Sequence, residues 1–204
     1  MTSIKIVVPT LNSHFLLPKL IQSLQFQTWS NWNILFVDGQ SNHNHREWLE
    51  TCCSKEERCN WIDQSNSNKG IFGAMNQGFL KAKQEEWLLF WGSDDWAATP
   101  KVFESFIEIL SEIKSPYPDL IVCNGRYANR LTETLRRRTS FISTKKNLIL
   151  SSKTFRKYLF WGSTPPHQAT FFGPGAISKL SQYSEEFNLA ADLDFFLKLS
   201  ELKK

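Results

Sequence analysis

Trp87-Leu88-Leu89-Phe90-Trp91-Gly92-Ser93-Asp94-Asp95 decides the fold: five consecutive apolar residues run into a glycine, a serine and two carboxylates. An unbroken apolar run of this length suits a strand buried on both faces, and such strands belong to parallel sheets covered by helices. Successive residues of a strand point to opposite faces, so Asp94 and Asp95 can share a site only where the chain turns, which Gly92-Ser93 permits. Like charges at that range raise one another's pKa unless a cation intervenes, and a divalent metal is the natural one. A loop Asp-Asp that only caps the next helix explains the pair almost as well when it is read alone.

The flanking sequence repeats one unit. Lys5-Ile6-Val7-Val8-Pro9 is a β-branched strand opening into the turn formers Thr10-Leu11-Asn12-Ser13, which are suited to begin a helix. Leu16, Leu17, Leu20, Ile21 and Leu24 then recur at helical spacing, with Pro18 in the first turn. Asn33-Ile34-Leu35-Phe36-Val37 is a second strand ending at Asp38-Gly39-Gln40-Ser41, followed by a polar helix from His43 to Ser54. A short strand around Asn60-Trp61-Ile62 precedes Asn68-Lys69-Gly70 and a helical face of Ile71, Met75, Phe79 and Ala82. Thr99-Pro100 supplies a cap and first turn for a stripe of Val102, Phe103, Phe106, Ile107, Leu110 and Ile113.

Strands alternating with helices imply an α/β fold with a mostly parallel, Rossmann-like sheet and helices on both faces, because parallel neighbours need long crossovers. Ligands bind such sheets beyond the carboxyl ends of the strands. Those ends carry Thr10 and Asn12, then Asp38, then Asp94 and Asp95. Past Pro118 the pattern changes. Asp119 to Tyr127 and the basic run Arg136-Arg137-Arg138 read as strands or a hairpin outside the repeat, His167 to Phe172 as a further strand, and Ala191 to Leu202 as a last helix burying Phe195, Phe196, Leu199 and Leu202. The later strands imply a small mixed second sheet.

Composition sets the bounds. The 204 residues, 41% hydrophobic and 22% charged, fit one globular domain, and no internal repeat, low-complexity tract or linker divides them. A net charge of +4 neither demands a polyanion nor excludes a phosphate-bearing ligand or an acidic membrane surface. No nucleic-acid partner is expected, since no basic stripe exists beyond Arg136 to Arg138. No apolar run approaches the ~18 residues of a membrane span and Met1 to Lys5 lacks a signal-peptide pattern, so the expected location is cytoplasmic, at the inner face of a membrane. Cys52, Cys53, Cys59 and Cys123 lack paired zinc-site spacing, and with His43 and His45 nearby they still read as thiols packed under a surface helix.

Val8-Pro9-Thr10-Leu11-Asn12, Phe36-Val37-Asp38-Gly39-Gln40-Ser41, Lys69-Gly70-Ile71-Phe72-Gly73-Ala74-Met75-Asn76-Gln77-Gly78 and Trp91-Gly92-Ser93-Asp94-Asp95 together resemble the ordered motifs of family 2 glycosyltransferases. Pro166-His167-Gln168-Ala169-Thr170-Phe171-Phe172 and Phe187-Asn188-Leu189-Ala190-Ala191-Asp192-Leu193-Asp194 resemble its bacterial branch that builds colanic acid and similar surface polysaccharides. The resemblance implies a single GT-A domain over residues 1–204, with residues 1–98 as the nucleotide-sugar half and 99–204 as the acceptor half. It implies a nucleotide-diphosphate-sugar donor, Mg2+ or Mn2+ as cofactor, a glycan or lipid-linked acceptor, and inversion at the anomeric carbon.

Roles follow by position. The resemblance assigns Pro9 and Thr10 to the base pocket, Asp38 to the base, Asn68 and Lys69 to the nucleotide or diphosphate, and Asn12, Gly70 and Asn76 to nucleotide-sugar binding. It gives Asp94 to ribose and donor sugar, Asp95 to the metal, and Asp192 to the general base that takes the acceptor hydroxyl's proton. A carboxylate at the start of an amphipathic helix can be held by free N–H groups and aimed into a cleft, or can simply cap, and Asp194 is the alternative to Asp192. His167 and Gln168, with Asp194, are candidates for contact with the diphosphate or acceptor. Arg136 to Arg138 read as a solvated basic edge before a lipid-diphosphate contact. Close members of the branch often carry carboxylates where this chain has Asn68 and Gly73, and usually continue past the helix of Asp192, so the acceptor side is expected to be short. A nucleotide-sugar-binding subunit without turnover is the alternative reading. A nucleotidyl enzyme is disfavoured for want of a Gly-rich triphosphate loop.

Overall fold

β1 (Ser3–Thr10) is the hub of the sheet. It pairs in parallel with β2 (Trp32–Asp38) on one side and with β4 (Glu86–Phe90) on the other, while β3 (Cys59–Asp63) adds in parallel beyond β2. The computed structural model describes residues 2–67, 69–128, 149–187 and 189–202, with the backbone of 135–138. Beyond β4 come β8 (Thr170–Phe172) and then β5 (Leu120–Val122), giving the order β3-β2-β1-β4-β8-β5. β8 runs antiparallel to both of its neighbours, so β5 shares the direction of the first four strands. Among the described residues the second sheet is a two-stranded antiparallel ribbon of β6 (Gly125–Ala128) and β7 (Leu135–Arg138), so strand directions mix in the main sheet and not in the small one expected from sequence.

Both faces of the sheet are covered, which is why its strands read as unbroken apolar runs. On one face Ile4, Ile6 and Val8 pack with Leu17, Leu20 and Leu24 of α1 (Leu17–Gln25), Leu49 of α2 (His43–Lys55), and Phe103, Phe106 and Leu110 of α4 (Val102–Glu112). On the other, Val7, Leu88, Phe90 and Phe172 meet Met75 and Phe79 of α3 (Gly70–Leu80), Leu159 of α5 (Ser152–Phe160), Ala176 of α6 (Pro174–Lys179), and Phe195, Phe196 and Leu199 of α7 (Ala191–Glu201). A Cβ on Gly78 would lie 2.5 Å from Val7 Cγ2, so α3 approaches β1 more closely than any larger residue allows.

Four element boundaries differ from the sequence reading, each for a local reason. Thr10 to Ser13 do not start α1 directly: Asn12 turns left-handed at φ 51° and Ser13 accepts a bond from Leu16 N in an intervening turn. Thr99-Pro100 fall before α4, because their carbonyls are held by Gln27 Nε2 (2.8 Å) and Thr28 N (2.9 Å) from the α1–β2 connection. His167 to Ala169 form a 3-10 turn, leaving only Thr170–Phe172 as strand. Leu202 lies past the end of α7 and is exposed, whereas Phe195, Phe196 and Leu199 are buried as their spacing predicts. No helix among the described residues is long and apolar enough to cross a membrane.

Candidate active site

From β1 the chain steps outward to β2 and β3, then returns to place β4 against the free side of β1. The strand order therefore reverses between β1 and β4, and the crevice beyond their carboxyl ends is where a doubly wound sheet receives a ligand. Ser93 fastens the two strand ends together: its hydroxyl donates to Pro9 O at 3.2 Å and meets Ser13 Oγ at 2.8 Å. A cavity of about 760 Å3 opens here, with Asp94, Asp95, Trp96, Lys19, Arg126 and His167 among its walls. Trp91 joins the two sides, its indole N–H donating to Gln168 O at 2.9 Å. Asp94, Asp95, His167 and Gln168 are thus brought to one cleft from opposite halves of the chain.

Asp95 is half-buried, and its Oδ2 accepts the Gly92 N–H at 2.6 Å. Burial, helped by the Asp94 charge, pushes its carboxyl up to about 6 against the opposing pull of the Gly92 bond. A carboxylate held so unfavourably is relieved by a cation. The hard oxygen donors of Asp94 and Asp95 suit Mg2+ or Mn2+. Among the described residues no group of three His, Cys, Asp or Glu is assembled to hold a metal. One or two carboxylates are what Mg2+ commonly takes from protein when phosphate oxygens and water complete its shell, so the residues present fit a metal bound jointly with a diphosphate.

The end of β2 is a buried polar cluster. Asp38 is 0% exposed and is not among the residues lining this cavity; its Oδ2 accepts from Ser41 N (3.0 Å) and Arg46 Nε (3.1 Å), and its Oδ1 faces Thr10 Oγ1 (3.4 Å) and His45 Nε2 (3.5 Å). This carboxylate, expected to meet a base, shapes the turn that presents Gly39 and Gln40, the latter left-handed at φ 67°. Pro9 and Thr10 stand at the crevice edge, and Asn12 clasps the two loops, donating from its N–H to Ser41 Oγ and accepting Asn42 N on Oδ1, each at 2.8 Å. His45 is fully buried, and burial lowers its pKa despite Asp38. Arg46 bridges Asp38 to Asp63 at the end of β3. Neither Arg46 nor Asp63 stood out in the sequence; the signal for Asp63 was its place as the carboxylate closing a third parallel strand.

α3 begins beside a second, smaller cavity of about 220 Å3, lined by Lys69, Gly70, Asn76, Ser184, Glu185 and Phe187. Asn68, assigned to the nucleotide by resemblance, lies outside the described residues, as do the side chains of Arg136 to Arg138. Gly70 takes φ 81°, which only glycine adopts freely. Asn76 is buried and its amide grips the main chain of Tyr183, accepting from N at 2.6 Å and donating to O at 3.1 Å. Tyr183 in turn meets His167 Nε2 through its hydroxyl at 2.7 Å. Burial drives the His167 pKa down to about 4 and raises that of Tyr183, while the charge of Asp192 raises both. His167 is therefore neutral near pH 7.

Asp192 sits in the first turn of α7, half-buried, where its Oδ1 accepts the Leu193 N–H at 2.8 Å. It does not line the large cavity itself but is electrostatically coupled to His167, which does. Asp194, two residues on and so on the opposite side of the helix, is ion-paired with Lys198 at 2.8 Å. The sequence also left unremarked the mouth of the cleft, where Lys19 Nζ lies 3.6 Å from the centroid of Trp96 and β6 contributes Arg126 and Tyr127. Lys19 was hidden on the polar side of α1, and β6 lies outside the repeating pattern.

Solved structures share this architecture. S. aureus TarS in complex with UDP-GlcNAc superposes with a TM-score of 0.74 at 16% identity, over 96% of this chain and 52% of that one. A mannosyltransferase from Pyrobaculum calidifontis in complex with GDP-Man and Mn2+ gives 0.61 at 11% identity, over 94% and 50%. In sequence, the chain is 30% identical over 164 residues to an uncharacterized glycosyltransferase of Mycobacterium tuberculosis, covering 80% of this chain and 55% of that protein. It is 24% identical to a PGL/p-HBAD biosynthesis glycosyltransferase of Mycobacterium bovis, over 95% and 68%. The chain therefore spans about half the length of the first of these relatives. The sequence profile of glycosyl transferase family 2 matches residues 5–179, from the first strand through the cleft to α6, and with the crevice carboxylates standing where that α/β sheet reverses its order, the chain belongs to glycosyl transferase family 2.

Proposed function

We propose that this chain transfers a sugar from a nucleoside-diphosphate donor, with inversion, to a glycan or lipid-linked acceptor in the building of a surface polysaccharide or glycolipid. The observation that carries the reading is the Asp94-Asp95 turn at the β1/β4 reversal, facing His167 and Gln168 across one cavity. Donor complexes of the two structural neighbours, with UDP-GlcNAc and with GDP-Man and Mn2+, support a nucleotide sugar as ligand. The mycobacterial PGL/p-HBAD relative supports a surface glycolipid as one class of product, beside the polysaccharide branch that the late motifs resemble. A cytoplasmic site of action belongs to the same reading.

Asp95 would hold Mg2+ or Mn2+, with Asp94 beside it toward ribose; the ion, when bound, neutralises charge on the departing diphosphate. The chain's own groups do the rest. Pro9, Thr10 and Asn12 border the nucleotide end of the crevice, and Lys69, Gly70 and Asn76 frame the start of α3 next to it. Asp192 accepts the acceptor's hydroxyl proton as that oxygen attacks the anomeric carbon and the bond to the diphosphate breaks. The Leu193 N–H fixes this carboxylate, and neutral His167 leaves it free of a competing cation.

The test is transfer by purified protein from a panel including UDP-GlcNAc and GDP-Man, with and without chelator. Asp95→Ala and Asp192→Ala should each lose at least a hundredfold in kcat, in keeping with the weight of a metal clamp or a general base. Full activity in both variants would overturn the assignments. Donor binding without turnover on any acceptor would favour a binding subunit.

A further inference from the structure

The fifty-one residues from Thr134 to Ser184 contain nine Lys and Arg and no Asp or Glu, whereas the remainder of the chain carries fifteen against twenty. The modest net charge therefore conceals a strongly basic segment in an otherwise acidic molecule. Within it α5 has two unlike faces. Phe155 and Leu159 turn inward, Phe155 meeting Phe196 of α7 edge-to-face at 6.1 Å. On the opposite side Lys153, Arg156, Lys157 and Phe160 follow one another at helical spacing, and Trp161 extends the stripe at the cap.

That outer stripe ends in large apolar side chains left open to water. Phe160 is 69% exposed and Trp161 74%, and Ile149 just before the helix is 79% exposed. Arg156 is held by Glu201 and lies over the Phe160 ring at 5.6 Å, while Lys153 and Lys157 form no ion pair among the described residues. Exposed aromatics beside unpaired lysines on a short amphipathic helix are the composition of a surface that sits in the headgroup layer of an anionic bilayer, where rings enter the interface and ammonium groups meet phosphate.

We infer that α5 docks this chain onto an anionic lipid surface through Phe160, Trp161, Lys153 and Lys157. The docking stripe leads within a few residues into Pro166 and His167, which line the cleft, so lipid contact would bring the catalytic mouth close to the bilayer. The inference refines the proposed lipid-linked acceptor, yet binding to vesicles does not depend on which sugar is transferred.

The experiment is co-sedimentation with vesicles of phosphatidylcholine containing roughly one-third phosphatidylglycerol, against pure phosphatidylcholine, at low and high salt. The wild-type chain should bind the anionic vesicles, and salt should release it. Lys153→Glu/Lys157→Glu should weaken partitioning by at least roughly 25-fold, about fivefold for each basic side chain lost. Phe160→Ser/Trp161→Ser should weaken it at low salt, with the lysines intact. Thermal melts keep the test on folded protein, and transfer to a soluble acceptor should persist in both variants, which separates loss of docking from failure of the proposed activity. Equal binding to neutral vesicles, no binding to either, or anionic binding unchanged in both variants would overturn the assignment; the last would shift docking to another basic segment.

Discussion

Replacing Asp95 with Asn should stabilise the metal-free protein while removing its activity. The Asp95 carboxyl rises from an ordinary 3.8 to about 6 on folding, chiefly because it is buried. At about 1.4 kcal/mol per pH unit, the ionised native state carries a penalty of about 3 kcal/mol. The sign follows from proton counting. Between pH 3.8 and 6 the folded chain holds a proton that the unfolded chain has released, so stability falls as pH rises through this window, and the full penalty stands above it. Asn keeps an oxygen for the Gly92 N–H and has no charge to desolvate. In chelator at pH 8, Asp95→Asn should melt about 6–12 °C above wild type, given about 2–4 °C per kcal/mol for a chain of this length. At pH 4.5 the advantage should shrink to about 1 kcal/mol, because most of the wild-type penalty has gone. Scanning calorimetry at both pH values is decisive. A lower melting temperature at pH 8, or a gain of equal size at both, would refute the claim that burial of this charge strains the site.

Asp38→Asn should cost about 1–3 kcal/mol by urea unfolding, since it weakens the charged hydrogen bonds from Ser41 N and Arg46 Nε while Arg46 keeps Asp63, and an unchanged midpoint would show that the buried cluster is slack. Gly78→Ala should cost about 1–3 kcal/mol through its 2.5 Å encounter with Val7, and Val7→Ala in the same chain should return part of the loss; simple additivity of the two would argue against the close approach.

The parallel half of the sheet was written plainly in the sequence. Strands buried on both faces carry runs such as Trp87 to Trp91, and amphipathic helices such as α1 repeat Leu17, Leu20 and Leu24, so each element advertises its own surroundings. The pair Asp94-Asp95 was legible for the same reason, because a turn after a buried strand fixes where its residues point. What depended on distant partners was not. Asp38 resembles any exposed Asp-Gly turn until α2 folds His45 and Arg46 back onto it. That the amide of Asn76 also grips the main chain of Tyr183, 107 residues away, could not be read from its own neighbours in sequence. β8 was expected somewhere between His167 and Phe172, but a strand of three residues is too short for any periodicity to reveal its bounds or its antiparallel direction.

The late arrival of β8 gives the molecule a birth order. A ribosome delivers the whole parallel run β3-β2-β1-β4 before the strand that seals its open margin has been translated. The carbonyl of Gln168 that receives the Trp91 indole lies 77 residues downstream, a delay of roughly 4–15 seconds at ordinary synthesis rates. Throughout that interval the nascent β4 presents unpaired main-chain groups and the Leu88 and Phe90 side chains, a template for mispairing with another chain. Chaperone protection should therefore matter most while residues between Asp95 and Phe172 are being made.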